Sequence, residues 1–389
     1  MDVSVCSGKC IIVANLYNSA EVLPNMITQL VRLATLLGPA NMLVSIYESG
    51  SRDATAEWLR LLRGVLGALS VPCIVTAGGN LTRRAGQDRI AFLASVRQAA
   101  VDQVLAACGG LAEGFCSADR IVYLNDVFFE ATDVVRLLQY RDAHVACGLD
   151  FEPILAEHPA PEQRRFMALH LQQVWRVPGP LAARLAALTP AFRLWQKAYR
   201  RSVSLLRLLP LSFYDEWVAR DVAGGRFVRP FPYTSHGPTA QRIRSGLPFA
   251  AYCCWNGLAA LAGAPLLSGR VAFRAHRDGE CGTSECSLLC DDLHRLGHTR
   301  VVVDPGVRVA YRAAAAERMA AGHQAAVGAP MEPAGVAYVE WRDDLPANLT
   351  AWRQPYGAAG AIERCCLAPG RDAVDFKNDC ALVTVPKLR

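Results

Sequence analysis

The sequence predicts an α/β fold: a mostly parallel central sheet with helices on both faces, interrupted by one helical insert. Three observations predict it. Apolar runs of strand length alternate with amphipathic helical stretches between residues 10 and 124. Those runs are apolar throughout, as strands covered on both faces are, rather than alternating apolar with polar. Polar motifs follow the strands at one end, where such sheets bind ligands. With 389 residues, 52% of them hydrophobic and 20% charged, the chain can bury a large core.

Cys10 to Leu16, rich in β-branched residues, reads as the first strand. Tyr17-Asn18-Ser19-Ala20-Glu21 follows, with Ser19 expected to cap an amphipathic helix ending near Gly38. Met42 to Tyr47 is the second strand, and Ser49-Gly50-Ser51-Arg52-Asp53 a polar turn into the helix that carries Trp58, Leu59, Leu61 and Leu62. Val71 to Thr76 makes a third strand, Arg89 to Ala107 a long helix and Arg120 to Leu124 a fourth strand. Residues 152–210 interrupt this alternation with the helical insert, and the Ala-rich residues 313–327 read as a surface helix. One domain over residues 1–328 is expected, with a loop-rich C-terminal extension, 329–389, packed on it.

The net charge of +6 is concentrated. Residues 161–210 hold nine Arg or Lys against Glu162 alone, so the remainder is near neutral. No basic face is joined to a recognisable reader module, which argues against a nucleic-acid partner. Within the insert, Phe192, Trp195, Tyr199, Val203 and Leu206 recur at helical spacing, with Arg193, Lys197, Arg200, Arg201 and Arg207 largely elsewhere around the helix. This basic amphipathic helix suits either peripheral contact with an anionic membrane or packing on the domain with a solvated face. Fourteen cysteines, including Cys253-Cys254 and Cys365-Cys366, favour disulfides. Zinc is the rival reading, but Cys6, Cys10, Cys281, Cys286 and Cys290 lack paired ligand spacing. The sequons at Asn80 and Asn348 agree with a secretory location. No signal peptide and no apolar run of about 18 residues is present, so a luminal enzyme's anchor is expected to lie outside this sequence.

Four constellations carry candidate chemistry. Asn15, Tyr17 and Asn18 end the first strand, and Glu48, Ser51 and Asp53 end the second, on one rim. A carboxylate there accepts hydrogen bonds from ribose hydroxyls or a base edge; equally, Ser49, Ser51 and Asp53 make a turn and cap the next helix. No glycine-rich phosphate loop follows these strands, so a metal is expected to neutralise a diphosphate. Asn125-Asp126, ending the fourth strand, supplies a hard oxygen ligand for it at Asp126, or else begins a tight turn. Third, Tyr214-Asp215-Glu216-Trp217 with Arg220, Asp221 and Tyr233 pairs aromatics for a sugar face with groups for hydroxyls or phosphate, or fixes a loop. Fourth come Trp255-Asn256-Gly257, Phe273-Arg274 and Ser284-Glu285 at a helix start. Glu285 there either serves the helix dipole or orients and deprotonates an acceptor hydroxyl.

Six strings in order, Ala-Asn-Leu-Tyr-Asn-Ser-Ala-Glu, Tyr-Glu-Ser-Gly-Ser-Arg-Asp-Ala-Thr, Tyr-Leu-Asn-Asp-Val-Phe-Phe, Tyr-Asp-Glu-Trp-Val-Ala-Arg-Asp, Cys-Trp-Asn-Gly and Ser-Glu-Cys-Ser-Leu, resemble the fungal capsule-associated α-1,3-mannosyltransferase family over roughly residues 10–312. The resemblance implies a GT-A-type nucleotide-sugar-binding fold, GDP-mannose as donor, Mn2+ or Mg2+, transfer to O3 of mannose in a glycan, and a membrane-anchored Golgi enzyme. The catalytic expectation is that Asp126 holds the metal on the diphosphate, Glu48 and Asp53 fix the nucleoside, and Glu285 and Trp255 position the sugars. Asn15, Tyr17, Glu48, Ser51, Asp53, Asn125, Arg220, Asp221, Asn256 and Gly257 become the donor-binding candidates. An α-linked product from GDP-α-mannose implies retention, the leaving phosphate taking the acceptor proton; an inverting enzyme would use Glu285 as base. Another hexosyltransferase on this scaffold, or a catalytically silent glycan-binding protein, are the alternatives.

Overall fold

The structure, a computed structural model, describes residues 8–153, 178–187, 211–222, 224–277, 283–322, 362–365 and 381–384. In chain order its elements are β1 (Cys10–Leu16), α1 (Leu23–Leu37), β2 (Met42–Glu48), α2 (Thr55–Ala68), β3 (Cys73–Thr76), α3 (Arg89–Ala106), β4 (Arg120–Leu124), α4 (Ala131–Leu138), β5 (Val145–Pro153) and α5 (Gly179–Ala187). There follow β6 (Leu211–Phe213), β7 (Arg220–Asp221), α6 (Gly237–Arg244), β8 (Phe249–Cys253), β9 (Leu258–Ala262), α7 (Gly263–Leu267), α8 (Glu285–Arg295), β10 (Val301–Ala310) and α9 (Ala313–Gly322). A separate antiparallel pair joins β11 (Ile362–Cys365) to β12 (Ala381–Thr384).

The main sheet has the order β3-β2-β1-β4-β9-β5-β10-β8-β7, with β6 paired to β5. Its first four strands are parallel. β9 enters antiparallel between β4 and β5, β10 runs parallel to β5, and β8 and β7 continue antiparallel. β1 to β5, β7 and β10 therefore share one direction. This is the α/β sheet expected for a GT-A-type fold, and the strand order turns back on itself between β1 and β4.

Strand alternation divides the core into two layers. In β1, Ile11 and Val13 face a layer containing Ala94, Val101 and Val104 of α3 and Cys286, Leu289 and Leu293 of α8. Cys10, Ile12 and Ala14 face the opposite layer, built from Met26 and Leu30 of α1, Leu59 and Leu62 of α2, and Val134 and Leu137 of α4. Helices thus cover both faces, and the strands are apolar on both sides.

Some boundaries differ from expectation. Ser19 does not cap α1: the helix starts later, behind Val22, with Pro24 in its first turn. The Ser19 hydroxyl instead accepts from the Tyr17 N–H at 3.2 Å, and the Ser19 N–H donates to Thr55 Oγ1 at 2.8 Å, tying this loop to the start of α2. β2 extends through Glu48 and β3 begins at Cys73. The insert springs from a strand pair, since Pro153 of β5 lies opposite Leu211 of β6. Its basic helix around residues 192–207 lies outside the described residues, as do 323–327 of the Ala-rich helix and most of the extension from 329.

Disulfides are present, as expected. Cys254 is bonded to Cys147 of β5 and its neighbour Cys253 to Cys290 of α8, so one dipeptide is anchored to two elements. Cys108 pairs with Cys116. Cys147–Cys254 spans 107 residues and Cys108–Cys116 spans 8, so the first restricts the unfolded chain more. Replacing Cys147 and Cys254 by alanine should lower the unfolding free energy by about 2–5 kcal/mol in urea titrations. The Cys108→Ala/Cys116→Ala protein should lose less; an equal or reversed ranking would count against the assignment.

Candidate active site

β1 and β4 are adjacent and parallel, but the chain leaves them in opposite directions across the sheet, opening a crevice beyond Leu16 and Leu124. Because β9 is antiparallel to β4, with Leu258 opposite Leu124, the turn entering β9 lies at that same end. Trp255-Asn256-Gly257 therefore meets Asn125-Asp126, and the Asn125 N–H donates to Gly257 O at 2.9 Å. Gly257 has φ +73° and a Cβ there would stand 2.9 Å from Val127 Cγ1, so the turn requires glycine.

One side chain organises this end. Arg97 of α3, 11% exposed, donates from Nε to Glu285 Oε1 at 2.7 Å, while the Glu285 side chain is 2% exposed. Its Nη1 donates to Asn125 Oδ1 at 2.9 Å and, at 3.5 Å, to Asn15 Oδ1. The guanidinium carbon lies 4.9 Å from the Trp255 ring centre and 5.5 Å from that of Tyr123. Trp255 in turn donates from Nε1 to Asn125 Oδ1 at 3.1 Å, and the Tyr123 hydroxyl donates to Asn15 Oδ1 at 3.1 Å. Four expected residues, Asn15, Asn125, Trp255 and Glu285, thus converge on an arginine that no motif indicated.

The Asn125 amide oxygen is saturated, accepting from Arg97 and Trp255, and Nδ2 donates to the Tyr311 hydroxyl at 3.2 Å. Asp126 beside it is the opposite case. Among the described residues its carboxylate has no side-chain partner, and burial pushes its pKa up, with the charges of Arg97 and Arg312 acting against this. A half-buried carboxylate that forms no ion pair among the described residues, at the end of β4, suits a divalent cation. Mg2+ or Mn2+ asks for few protein ligands when phosphates and waters supply the rest, so the residues present fit the ion. No group of three or more metal-type ligands occurs among the described residues.

Glu285 and Trp255 differ from their expected roles. Glu285 Oε1 is taken by Arg97, and Oε2 accepts from Ser284 Oγ at 3.1 Å; Ser284, not Glu285, caps α8. The carboxylate is a buried counter-ion rather than a free base. Trp255, 3% exposed, packs its ring edge-on to Phe273 at 5.5 Å and has no open face for a sugar.

The rim after β2 is locked on itself. Glu48, 1% exposed, accepts from the backbone N–H groups of Ser51 and Gly78. Ser51 Oγ accepts from the Asn18 N–H at 2.8 Å. Asp53 Oδ2 accepts from the Ala20 N–H at 3.1 Å and Oδ1 from the Thr55 N–H and hydroxyl; these bonds outweigh partial burial and lower its pKa. Asp53 thus ties the loops after β1 and β2 together, and Tyr17 stands 52% exposed above them. Asn256 is wholly buried, its Nδ2 donating to Gly148 O at 2.8 Å. Arg220 and Asp221, expected to hold the donor, close their own loop on the edge strand β7. Arg220 Nη1 donates to the carbonyls of Trp217 and Ala219, and Asp221 accepts from the Gly225 N–H and the Thr234 hydroxyl.

Asp150, which no motif indicated, pairs with Asp215 of the third constellation. Asp150, fully buried at the end of β5, accepts from the Asp215 N–H at 3.1 Å and from the Tyr311 hydroxyl at 3.1 Å. Asp215 accepts from the N–H groups of Val218 and Asn256. Burial raises both carboxyl pKa values, that of Asp150 further through the nearby Asp215. The ring of Tyr214, 43% exposed, lies 4.7 Å from that of Tyr311, which donates to Asp150.

The sequence matches the family described as "Cryptococcal mannosyltransferase 1" over residues 9–292. It is 26% identical over 321 residues to "Alpha-1,3-mannosyltransferase CMT1" of Cryptococcus neoformans, an alignment covering 78% of this chain and 58% of that protein. Among solved structures, S. aureus TarS 1-349 aligns at 12% identity and TM-score 0.37, covering 78% of this chain and 60% of that one. The Pyrobaculum calidifontis mannosyltransferase PcManGT, in complex with GDP-Man and Mn2+, aligns at 10% identity and TM-score 0.37, covering 81% and 61%.

Two expectations separate the roles of these carboxylates. Glu285→Ala leaves Arg97 buried without its partner and should cost about 3–5 kcal/mol in urea unfolding. Arg32→Ala breaks its pair with Glu130, whose side chains are 62% and 57% exposed, and should cost under about 1 kcal/mol. For Asp126 the sign reverses. Its folded pKa is raised, so its contribution to stability is fully present below the ordinary value of 3.8 and is lost as pH rises through the folded pKa. Asp126→Asn should therefore raise the melting temperature at pH 7 and leave it unchanged near pH 3; a lower melting temperature at pH 7 would mean the carboxylate is paired.

Proposed function

The chain belongs to the Cryptococcal mannosyltransferase 1 family, and from that premise we propose that it transfers mannose from GDP-mannose to O3 of a mannose-containing glycan with retention of configuration. The observation that carries this reading is Asp126, a half-buried carboxylate at the carboxyl end of β4 that has no side-chain partner among the described residues, beside a locked Asn125. The relative that the chain matches is a named α-1,3-mannosyltransferase, and the chain spans 58% of its length.

In this mechanism Asp126 holds Mn2+ or Mg2+. The ion, when bound, neutralises the diphosphate and stabilises it as leaving group. Asn125 would lend no oxygen to the ion, since its Oδ1 already accepts from Arg97 and Trp255, which would leave Asp126 as the protein's ligand from this turn. The locked loops around Glu48, Ser51 and Asp53 present backbone and Tyr17 to the nucleoside from one rim. Retention draws its support from Glu285. A carboxylate held by Arg97 and Ser284 is poorly placed to take a proton from an acceptor hydroxyl, which leaves that proton to the departing phosphate. Tyr214, 43% exposed, provides the aromatic face for the incoming glycan.

The proposed location is the Golgi or another oxidising secretory compartment, which the disulfides support. Peripheral membrane contact through the basic helix around residues 192–207 is part of the same proposal and rests on the sequence alone.

With Mn2+ present, GDP-mannose should raise the melting temperature of the protein more than UDP-glucose or UDP-galactose does. EDTA or Asp126→Ala should abolish the shift. A larger shift with another nucleotide sugar would replace mannose by that hexose. Binding of oligosaccharide with no nucleotide shift would indicate a silent glycan-binding protein.

A further inference from the structure

Arg97 belongs to none of the rim loops. It stands in the apolar stripe of α3 that runs through Ile90, Ala94, Val101 and Val104, where a charge is costly unless matched on every side. Its matching is unequal in kind. Glu285 neutralises the charge, and Asn15 accepts weakly at 3.5 Å. Asn125 is the contact that reaches toward the cleft, because Asp126 is the next residue in the chain.

The turn at Asn125 is fixed from four directions: Arg97 and Trp255 on Oδ1, Tyr311 on Nδ2, and Gly257 O on the backbone N–H. The Asp126 carboxylate bonds to its own backbone N–H and, among the described residues, to no other side chain. A carboxylate that must meet a cation should not spend its lone pairs on other side chains; its aim has to come from its neighbour. Shape alone does not explain an arginine here, because replacing a buried ion pair by well-packed apolar groups is often neutral for stability. Lysine would not reproduce the arrangement either. A point charge satisfies Glu285 or Asn125, whereas the planar guanidinium serves both from different nitrogens.

We propose that Arg97 is a positioning residue for the divalent cation and diphosphate: its guanidinium locks the Asn125 amide so that Asp126 faces the cleft, and it holds Glu285 as a counter-ion. The inference rests on the metal-dependent transferase reading above. It assigns Arg97 no contact with substrate; the effect passes through Asn125.

The test is a Mn2+ titration of the full chain at fixed GDP, followed by electron paramagnetic resonance, on wild type, Arg97→Lys, Asn125→Ala and the double variant, with urea unfolding measured alongside. Arg97→Lys keeps a charge for Glu285 and should fold, but bind Mn2+ in the presence of GDP about tenfold more weakly. Asn125→Ala leaves the Arg97–Glu285 pair intact and should weaken Mn2+ to a similar degree. The double variant should be no weaker than Asn125→Ala alone, since the two act through one contact. Wild-type Mn2+ affinity in Asn125→Ala, or in folded Arg97→Lys, would overturn the proposal, as would losses that add in the double variant. If Arg97→Lys does not fold, Asn125→Ala decides alone. Failure of the wild-type protein to bind Mn2+ with GDP would instead sink the metal-dependent reading and this proposal with it.

Discussion

A fixed positive charge inside a hydrophobic layer is the constraint around which this end of the molecule is arranged. Arg97 cannot shed its proton, so burial is tolerable only if acceptors and aromatic faces surround it. Those partners come from β1, from the segments that end β4 and precede β9, and from α8. Elements far apart in sequence are drawn to one point by a single electrostatic demand. The same contacts bring the candidate carboxylates to two distinct states: Glu285 paired and enclosed, Asp126 half-buried and without an ion pair among the described residues.

Disulfides reinforce the same place from behind. Cys253 and Cys254 precede Trp255-Asn256-Gly257 directly, and their bonds to α8 and β5 fix the entry to the turn that receives Asn125. The turn itself needs a left-handed asparagine and glycine, at φ +49° and +73°. Strained backbone persists where its surroundings over-determine it; here a covalent clamp and a buried amide do so.

The first four strands and their helices were legible because each pairs an apolar run with a helical stripe of local period. What escaped was long-range. β9 pairs with β4 and β5, and β10 with β5, across the insert, and their short or interrupted apolar runs carry no cue to which neighbour they join. The position of Asn125-Asp126 at a strand end was readable, and so was the Trp-Asn-Gly segment. Their mutual contact was not, since it depends on β9 running antiparallel to β4. Arg97 did leave a signal, an ionisable residue in the apolar stripe of a helix. Its partner, 188 residues away, could not be inferred from spacing. Asp150 left the same kind of signal inside an apolar strand. Glu48, Asp53, Arg220 and Asp221 show the converse: carboxylates and cations at a rim look like ligands in sequence, but loops without regular structure also need side chains to satisfy their backbone.

The central claim is that this crevice transfers mannose. Its most direct measurement is the product formed when the protein is incubated with GDP-mannose, Mn2+ and an α-mannoside acceptor, analysed by NMR for linkage and anomeric configuration. The account predicts a new α-mannosyl residue on O3, formed only when the metal is present. A β-linked product, or no transfer from GDP-mannose while another nucleotide sugar is consumed, would contradict it.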